Sequence, residues 1–248
     1  MSSVGVVLQA RTGSSRLPKK MLLPIGGVPA LEFLLNRLKK LPDAVKIIVA
    51  TTTEPEDDAL AEIAERCGVG IYRGAVNNVM ERFWGAAQKY SLDTVIRICG
   101  DNVLMEMSEI SRMIDIFQQS ENDYMANSLP DGTHLILTGT GLAVEIFRFT
   151  ALQKAINSPL DNYHKEHVTP YFYENPGLFK IAFSPIPFQV YPKMRLTMDL
   201  PEDYGHIQAI IEAVGSHITI SEINRYLHEH PDMLKEMSAI AERQKKGR

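Results

Sequence analysis

The amino-acid sequence predicts a three-layer α/β fold built on a mainly parallel sheet. Four apolar, β-branched runs each end in polar or glycine residues, at 4–8, 45–50, 70–72 and 94–99. Segments whose apolar residues recur at helical spacing separate these runs. Strands that alternate with helices form βαβ units, and their right-handed crossovers place helices on both faces of the sheet.

Apolar spacing and helix start signals predict the helices between these strands. In the first helix the apolar residues recur three and four positions apart, at Leu31, Leu34, Leu35 and Leu38. Pro55 suits the first turn of a helix, and Asn77 suits an N-cap. The predicted helices cover 29–40, 55–66, 77–90 and 108–119.

The regular alternation of strand and helix patterns stops over 124–193. We interpret these residues as a lobe inserted into a core of residues 1–123 and 194–248. Thr/Gly-rich, strand-like residues at 135–147 precede a short helix, an aromatic helix around 163–173 and a strand interrupted by prolines. Core packing explains any one aromatic residue of this lobe, but together they exceed what a small lobe needs. We therefore expect a homodimer interface among Tyr171, Phe172, Tyr173, Phe179, Phe183 and Phe188.

The chain then returns to the sheet with a predicted strand at 194–198. A capping box formed by Thr219 and Glu222 opens one closing helix, and Pro231 opens the last. Basic residues at 243–248 are interpreted as a solvated tail rather than as a nucleic-acid contact.

Composition excludes several classes of protein. A formal net charge of −4 argues against a general nucleic-acid binder. Two cysteines, Cys67 and Cys99, are too few for a disulfide scaffold and lack the spacing of a zinc site. No apolar run approaches the roughly 18 residues that span a bilayer, and no secretory leader is recognisable. No membrane partner is expected, and the cytoplasm is the expected compartment.

Residues 9–20 form a glycine- and hydroxyl-rich turn directly after the first strand. Gly13 allows backbone N–H groups to converge, Ser14 and Ser15 add donors, and Arg11, Arg16, Lys19 and Lys20 add positive charge. A solvated basic loop is the alternative, but ligands of α/β sheets bind at the carboxyl ends of strands. The turn lacks the GxxxxGK[ST] and GxGxxG motifs. The sequence therefore predicts a polyphosphate site of another kind.

Asp101 and Asp199 each stand just past the end of a predicted strand. If these strands are neighbours, the two carboxylates meet. Mg²⁺ suits such a pair because it takes its remaining ligands from water and substrate. The alternative for Asp199 is the N-cap of the following helix.

The turn resembles the opening signature of cytidylyltransferases of the spore-coat polysaccharide biosynthesis type, relatives of the CMP-Kdo and CMP-acylneuraminate synthetases. The resembling segment runs from Gln9 through Arg11, Arg16 and Lys20 to Pro29. Later blocks match in order and spacing nearly to the end of the chain. They are 50–58, 72–74, 97–101, 166–170 and 195–204.

The resemblance implies a Rossmann-like nucleotide-diphospho-sugar transferase fold with a dimerisation lobe. It also implies transfer of CMP from CTP to a sugar acid, Kdo-like or sialic/legionaminic-like, with release of pyrophosphate. Mg²⁺ would bind Asp101 and Asp199, and Arg11, Lys20 and Asp101 would be catalytic. The implied nucleotide contacts are Gln9, Ala10, Arg11, Gly13, Ser14, Ser15, Arg16, Lys20, Thr51, Thr52, Arg73 and Gly100. The implied contacts to the acceptor sugar are Arg97, Glu145, Glu166 and His167, although a subunit contact is an equal alternative for Glu166 and His167.

Some residues depart from the family pattern. Lys19 stands where relatives commonly have glycine, Glu106 replaces an aspartate, and Ala143 replaces another. The chain also has a Thr/Gly-rich stretch at 132–140 that the family pattern lacks. Since most of these changes lie on the expected acceptor side, a nucleotide-sugar glycosyltransferase and a catalytically silent nucleotide-binding protein stay as alternatives. Arg97 has an alternative too, a lateral ion pair on its strand.

Overall fold

The computed structural model describes residues 2–215 and 218–246. The strands are β1 Val4–Gln9, β2 Pro24–Ile25, β3 Val28–Pro29, β4 Val45–Thr52, β5 Gly70–Gly74, β6 Thr94–Cys99, β7 Tyr124–Ser128, β8 Glu145–Arg148 and β9 Ile181–Pro185. The helices are α1 Ala30–Leu38, α2 Asp58–Arg66, α3 Val79–Lys89, α4 Met107–Gln118, α5 Phe149–Ile156, α6 Asn162–His167, α7 Pro170–Tyr173, α8 Pro201–Val214, α9 Ile220–Glu229 and α10 Pro231–Lys246. Short 3₁₀ turns cover Lys20–Leu22, Pro55–Asp57 and Leu135–Thr138.

Seven strands form one sheet in the order β5-β4-β1-β6-β8-β7-β9. The first four of these strands are parallel, whereas β8 runs antiparallel to both β6 and β7. The predicted mainly parallel sheet is therefore confirmed. Its parallel half brings the carboxyl ends of β1, β4, β5 and β6 to one edge.

The central strand β1 is buried on both faces, which explains its unbroken apolar run. Val6 and Leu8 belong to one core layer, with α1 and α4, and Val7 belongs to the other, with α3 and α5. Gly5 is required by close packing, because a Cβ at this position would meet Leu92 at 2.6 Å.

Residues 124–193 add β7, β8 and β9 to the main sheet rather than forming a sheet of their own. The division of the chain into core and lobe stays a prediction. The strand predicted at 135–147 is wrong over most of its length, because a 3₁₀ turn occupies Leu135–Thr138 and β8 begins at Glu145. The predicted aromatic helix is two helices, α6 and α7, because Val168 between them has a φ of 67°.

Three of the six aromatic residues named for an interface are buried within this chain, and Tyr173 and Phe188 are partly buried against its core. Tyr171, Phe172 and Phe179 pack in the core layer beside α3 and α5. Among the six, Phe183 is the one that is exposed, at 41%. The surplus inferred from composition is therefore mostly used for the chain's own core.

The strand predicted at 194–198 is wrong, because this segment forms neither a strand nor a helix. The segment is nevertheless mostly buried and returns to the sheet edge. Leu196 N–H donates to Thr140 O, and Met198 N–H donates to Asp101 O. Since these bonds go to two different segments, no strand ladder forms. The second bond nevertheless brings Asp199 to the end of β6.

The helix caps differ in detail from the predictions. Asn78, not Asn77, caps α3 by accepting from Glu81 N–H. The capping box of Thr219 and Glu222 on α9 is confirmed. None of the described helices is long and apolar enough to cross a membrane.

Candidate active site

A cavity of about 760 Å³ opens at the carboxyl edge of the parallel strands. Fourteen of the predicted site residues line it: Gln9, Ala10, Arg11, Gly13, Ser14, Ser15, Arg16, Lys20, Arg97, Gly100, Asp101, Glu166, His167 and Asp199. The turn after β1, the end of β6 and helix α6 therefore meet around one space. Most of the residues that the sequence predicts for the site therefore lie around the same cavity.

Asp57 holds the turn after β1 in place. Its Oδ1 accepts from Thr12 N–H and Thr12 Oγ1, both at 2.7 Å, and its Oδ2 accepts from Thr52 N–H and Oγ1. Burial alone would raise the pKa of Asp57, but the hydrogen bonds from Thr52 and Thr12 outweigh burial and lower it. This buried carboxylate therefore fixes the turn against the end of β4.

The turn itself is closed by Thr12, whose carbonyl accepts from Ser14 N–H and Lys19 N–H. Lys19 has a left-handed backbone, with φ 54° and ψ 29°. Glycine adopts this conformation without steric cost, which explains why the resembled signature has glycine here. The left-handed residue directs the next side chain, Lys20, into the cavity.

The Lys20 ammonium lies between two carboxylates. Its Nζ is 2.7 Å from Asp101 Oδ2 and 2.8 Å from Asp199 Oδ1. Burial opposes the charge on Lys20, yet Asp101 and Asp199 outweigh burial and raise its pKa. The predicted meeting of the two aspartates is therefore confirmed, with a lysine shared between them.

The two carboxylates have different surroundings. Burial raises the pKa of Asp101, and the nearby Asp199 charge adds to the increase. Burial of Asp199 is outweighed by Lys20, Arg16 and Arg195, so its pKa is lowered. Asp199 is therefore the firmly ionised member of the pair.

Asp199 is not a helix cap. Asp203 takes that place, because its Oδ2 accepts from Asp199 N–H at 3.1 Å and from Leu200 N–H at 2.9 Å. Asp203 is also held by Arg195 through two hydrogen bonds of 2.7 and 2.8 Å. The alternative considered for Asp199 is therefore wrong, and its carboxylate is left to face the cavity.

Arg97 forms the lateral ion pair predicted as one alternative, and its binding of an acceptor group stays a prediction. It lines the cavity, and its Nη1 also pairs with Glu145 Oε2 at 2.5 Å across the β6–β8 ladder. The other Glu145 oxygen accepts from Tyr124 Oη at 2.6 Å. Glu145 is 1% exposed and does not line the cavity. Any role of Glu145 in substrate binding therefore runs through Arg97.

Thr51, Thr52 and Arg73 do not line the cavity. Arg73 donates to Thr52 O and Glu54 O and forms an ion pair of 2.6 Å with Asp58. The hydroxyl of Thr52 is bound to Asp57. The structure gives no support to a direct contact between these three side chains and a nucleotide base.

Arg82 of α3 is a cavity residue that sequence reasoning missed. It is 2% exposed, its Nη1 donates to Ala75 O and Val76 O, and its Nε has no hydrogen-bond partner. No carboxylate of the described residues forms an ion pair with it, and burial followed by the nearby Arg11 charge lowers its pKa. The signal in the sequence was a charged residue on the apolar face of a helix.

Cys99 lines the cavity, but its buried thiol is poorly suited to act as a nucleophile. Burial raises the pKa of its thiol to about 12, so the reactive thiolate is scarce at neutral pH. The polar chemistry of the site is instead ionic, since Arg11, Arg16, Lys20, Arg82 and Arg97 line the cavity together with Asp101, Glu166 and Asp199. Within the described residues no group of three or more acidic, His or Cys side chains could hold a metal ion. The site can bind a polyphosphate and offers two oxygen ligands to a divalent cation.

The comparisons with known proteins agree with this chemistry. The family model of the cytidylyltransferases matches residues 5–240. The chain is 30% identical to the spore coat polysaccharide biosynthesis protein SpsF of Bacillus subtilis over 96% of this chain and 100% of that protein. It is 30% identical to a 3-deoxy-manno-octulosonate cytidylyltransferase of Hydrogenovibrio crunogenus over 48% of each. A cytidylyltransferase structure from Leptospira borgpetersenii matches with a TM-score of 0.84 at 30% identity, over 94% of this chain and 97% of that chain.

We predict that Asp57→Asn lowers the free energy of unfolding by about 1–3 kcal/mol, because an amide cannot accept all four hydrogen bonds. The folded-state pKa of Asp57 lies below its ordinary value of 3.8. Its contribution is therefore complete above that value and is lost as the pH falls through the folded-state pKa. Urea unfolding of both proteins should give a constant difference near pH 7 that narrows below about pH 4.

Glu56→Gln is the matched control, since Glu56 is an exposed neighbour in the same 3₁₀ turn. It should leave unfolding unchanged to within about 0.5 kcal/mol. Equal effects of the two substitutions would contradict the anchoring role of Asp57.

Proposed function

We propose that this chain, which belongs to the cytidylyltransferase family, transfers CMP from CTP to a sugar acid and releases pyrophosphate for surface polysaccharide synthesis. The observation that carries the proposal is the Lys20 ammonium held between Asp101 and Asp199 beside a cationic turn. Kdo-like and sialic/legionaminic-like acids are the proposed acceptors, since a partial relative is named for activity on 3-deoxy-manno-octulosonate.

The cations of the site suit the charge changes of nucleotidyl transfer. An acceptor hydroxyl oxygen forms a bond to the α-phosphorus while the bond from that phosphorus to the bridging oxygen of the β-phosphate breaks. The hydroxyl proton passes to solvent, and pyrophosphate leaves with the bonding electrons. Arg11, Arg16 and Lys20 would bind the β- and γ-phosphates and stabilise the charge that develops on pyrophosphate.

Asp101 and Asp199 fit the donor set that Mg²⁺ prefers. Both carboxylates already bind one shared cation, and both side chains keep some exposure to the cavity. When bound, Mg²⁺ would supply charge neutralisation at the phosphates. Lys20 would then be released from the aspartates to bind phosphate oxygens.

The acceptor side of the site is assigned to β6 and α6. Arg97 faces the cavity from β6, and Glu166 and His167 face it from α6. A guanidinium suits a carboxylate because it can donate two parallel hydrogen bonds. Glu145 fixes one edge of that guanidinium, which supports Arg97 as the group that binds the carboxylate of the sugar acid.

The departures from the family pattern have separate explanations. Glu106 is structural, because its Oε1 accepts from Ser108 at the start of α4 and its Oε2 accepts from Ile220 N–H at the start of α9. The stretch at 132–140 instead contributes Thr138 and Thr140 to a second cavity of about 530 Å³. We assign this stretch, rather than Glu106, to acceptor choice.

A homodimer is proposed through the outer edge of the sheet. Strand β9 pairs only with β7 within the described sheet, so its other edge keeps unpaired backbone groups. Phe183 on β9 and Leu137 in the 3₁₀ turn of the lobe are large apolar side chains with 41% and 64% exposure. A twofold contact would cover both.

We predict that pyrophosphate is released from CTP in the presence of a keto-sugar acid, and far more slowly from ATP, GTP or UTP. A coupled pyrophosphate assay over the four nucleotides and a panel of such acids measures this. Asp101→Asn should reduce kcat by roughly 10²–10³-fold, in the range for loss of one group that stabilises transition-state charge. Equal turnover of ATP or GTP would contradict the cytidylyl assignment, and CTP binding without turnover of any acid would favour the silent protein.

We predict that Lys20→Met increases the stabilisation that Mg²⁺ gives to the protein without nucleotide. In the wild type Mg²⁺ competes with the ammonium, whereas in the variant the two carboxylates lose their shared cation and Asp199 keeps only Arg16 and Arg195. The gain should be about 1 kcal/mol, or roughly 2–4 °C in Tm, measured by calorimetry with and without Mg²⁺. Lys20→Met/Asp101→Asn is the control and should lose the gain, and an equal Mg²⁺ effect in all three proteins would place the metal elsewhere.

We predict a dimer in sedimentation at micromolar concentration, and a monomer for Phe183→Glu. The introduced charge would lie in the buried centre of the proposed interface. Ile116→Glu is the control, since Ile116 is also exposed, at 36%, but lies on helix α4 rather than on the strand at the sheet edge. A monomeric wild type would overturn the proposed interface.

A further inference from the structure

The end of helix α10 lies against the turn after β1. Gln244 Oε1 accepts from Arg16 Nη1 at 2.9 Å, although the two residues are 228 positions apart. Arg243 Nη2 is 3.3 Å from Glu202 Oε1, and Glu242 pairs with Lys193. The interpretation of 243–248 as a solvated tail is therefore wrong for Gln244, whereas Arg243 is 65% exposed. Residues 247 and 248 lie outside the described residues.

Arg16 is bound on both sides of its guanidinium. Its Nη2 pairs with Asp199 Oδ2 at 3.2 Å, and its Nη1 donates to Gln244. The side chain is still 45% exposed, so without partners it would sample many rotamers. Two contacts from two different elements restrict the guanidinium to the mouth of the cavity.

The chemistry of the partner matters because Arg16 has to keep its charge for a ligand. Asp199 offsets part of that charge, and it shares its own charge with Lys20 and Arg195. A second carboxylate would offset more of it and would also repel phosphate. A neutral amide accepts a hydrogen bond and orients the guanidinium without offsetting its charge.

We propose that Gln244 is a positioning residue that holds Arg16 toward the β- and γ-phosphates of the nucleotide. The proposal rests on the proposed function, since it takes Arg16 as a triphosphate ligand. The last turns of α10 are then part of the nucleotide site, although the sequence places them at the opposite end of the chain. Gln244 acts through Arg16 and touches no reacting atom.

A double-mutant cycle in the full chain tests this. Isothermal calorimetry would measure Kd for CTP and for CMP in the wild type, Gln244→Ala, Arg16→Ala and the double variant. Gln244→Ala should weaken CTP binding by about three- to tenfold, the loss expected for one ordinary hydrogen bond, and CMP binding by less than about twofold. In the Arg16→Ala background it should have no further effect, because coupled residues are not additive.

Two further variants sharpen the result. Gln118→Ala makes the same substitution at an exposed position of α4 and should leave both affinities unchanged. Gln244→Glu keeps an oxygen that accepts from Arg16 but adds negative charge. Its affinity for CTP should therefore lie between those of the wild type and Gln244→Ala. Equal losses for CTP and CMP, or full additivity with Arg16→Ala, would overturn the positioning role.

The same data separate this inference from the proposed function. If CTP binds and Arg16→Ala weakens it while Gln244→Ala does not, the role of Gln244 is wrong and the function stands. If ATP or GTP binds more tightly than CTP, the cytidylyl assignment is wrong. The cycle measured with that nucleotide and its monophosphate then decides the role of Gln244 by the same criteria.

Discussion

The Lys20 ammonium between Asp101 and Asp199 is the interaction on which the site depends. It joins the first turn of the chain to residues 81 and 179 positions further on. Two carboxylates this close repel each other, and unit charges about 4 Å apart interact by about 4 kcal/mol at an effective dielectric constant of 20. The shared cation offsets this repulsion, which Arg16 and Arg195 offset only at Asp199. The same cation thus links three distant parts of the chain at the sheet edge and keeps the two carboxylates together.

Other buried carboxylates support this arrangement from outside the cavity. Asp57 fixes the turn that carries Lys20, and Asp203 fixes the backbone that carries Asp199. Each accepts hydrogen bonds from main-chain N–H groups, which is how a buried charge is compensated without a ligand. The acidic residues therefore divide into a buried group that holds backbone and an accessible pair that faces the cavity. Function at the accessible pair depends on rigidity supplied by the buried group.

Local periodicity and strand ends account for the features that were predictable from the sequence. The parallel strands and the helices between them obey the βαβ rule that carboxyl ends share one edge, whereas Asp199 reaches that edge from a segment that is not a strand. The segment 194–198 is apolar and therefore predicted as a strand, but its hydrogen bonds go to two separate partners. Apolar sequence reports burial and does not report which backbone will pair. The contact of Gln244 with Arg16 has no local signal at all, since it depends on where α10 packs after the whole sheet has formed.

The pair of Arg97 and Glu145 shows how the sheet topology and the site are linked. These residues are direct register partners where the parallel half of the sheet meets the antiparallel strand β8. A buried ion pair gives little net stability, because desolvation offsets its attraction. Apolar residues would pack there at less cost, so stability does not explain the pair. Orientation does, because a guanidinium fixed by Glu145 on one edge keeps its other donors toward the cavity. The change of strand direction therefore provides a place where a charged donor is buried, held rigid and still available to a ligand.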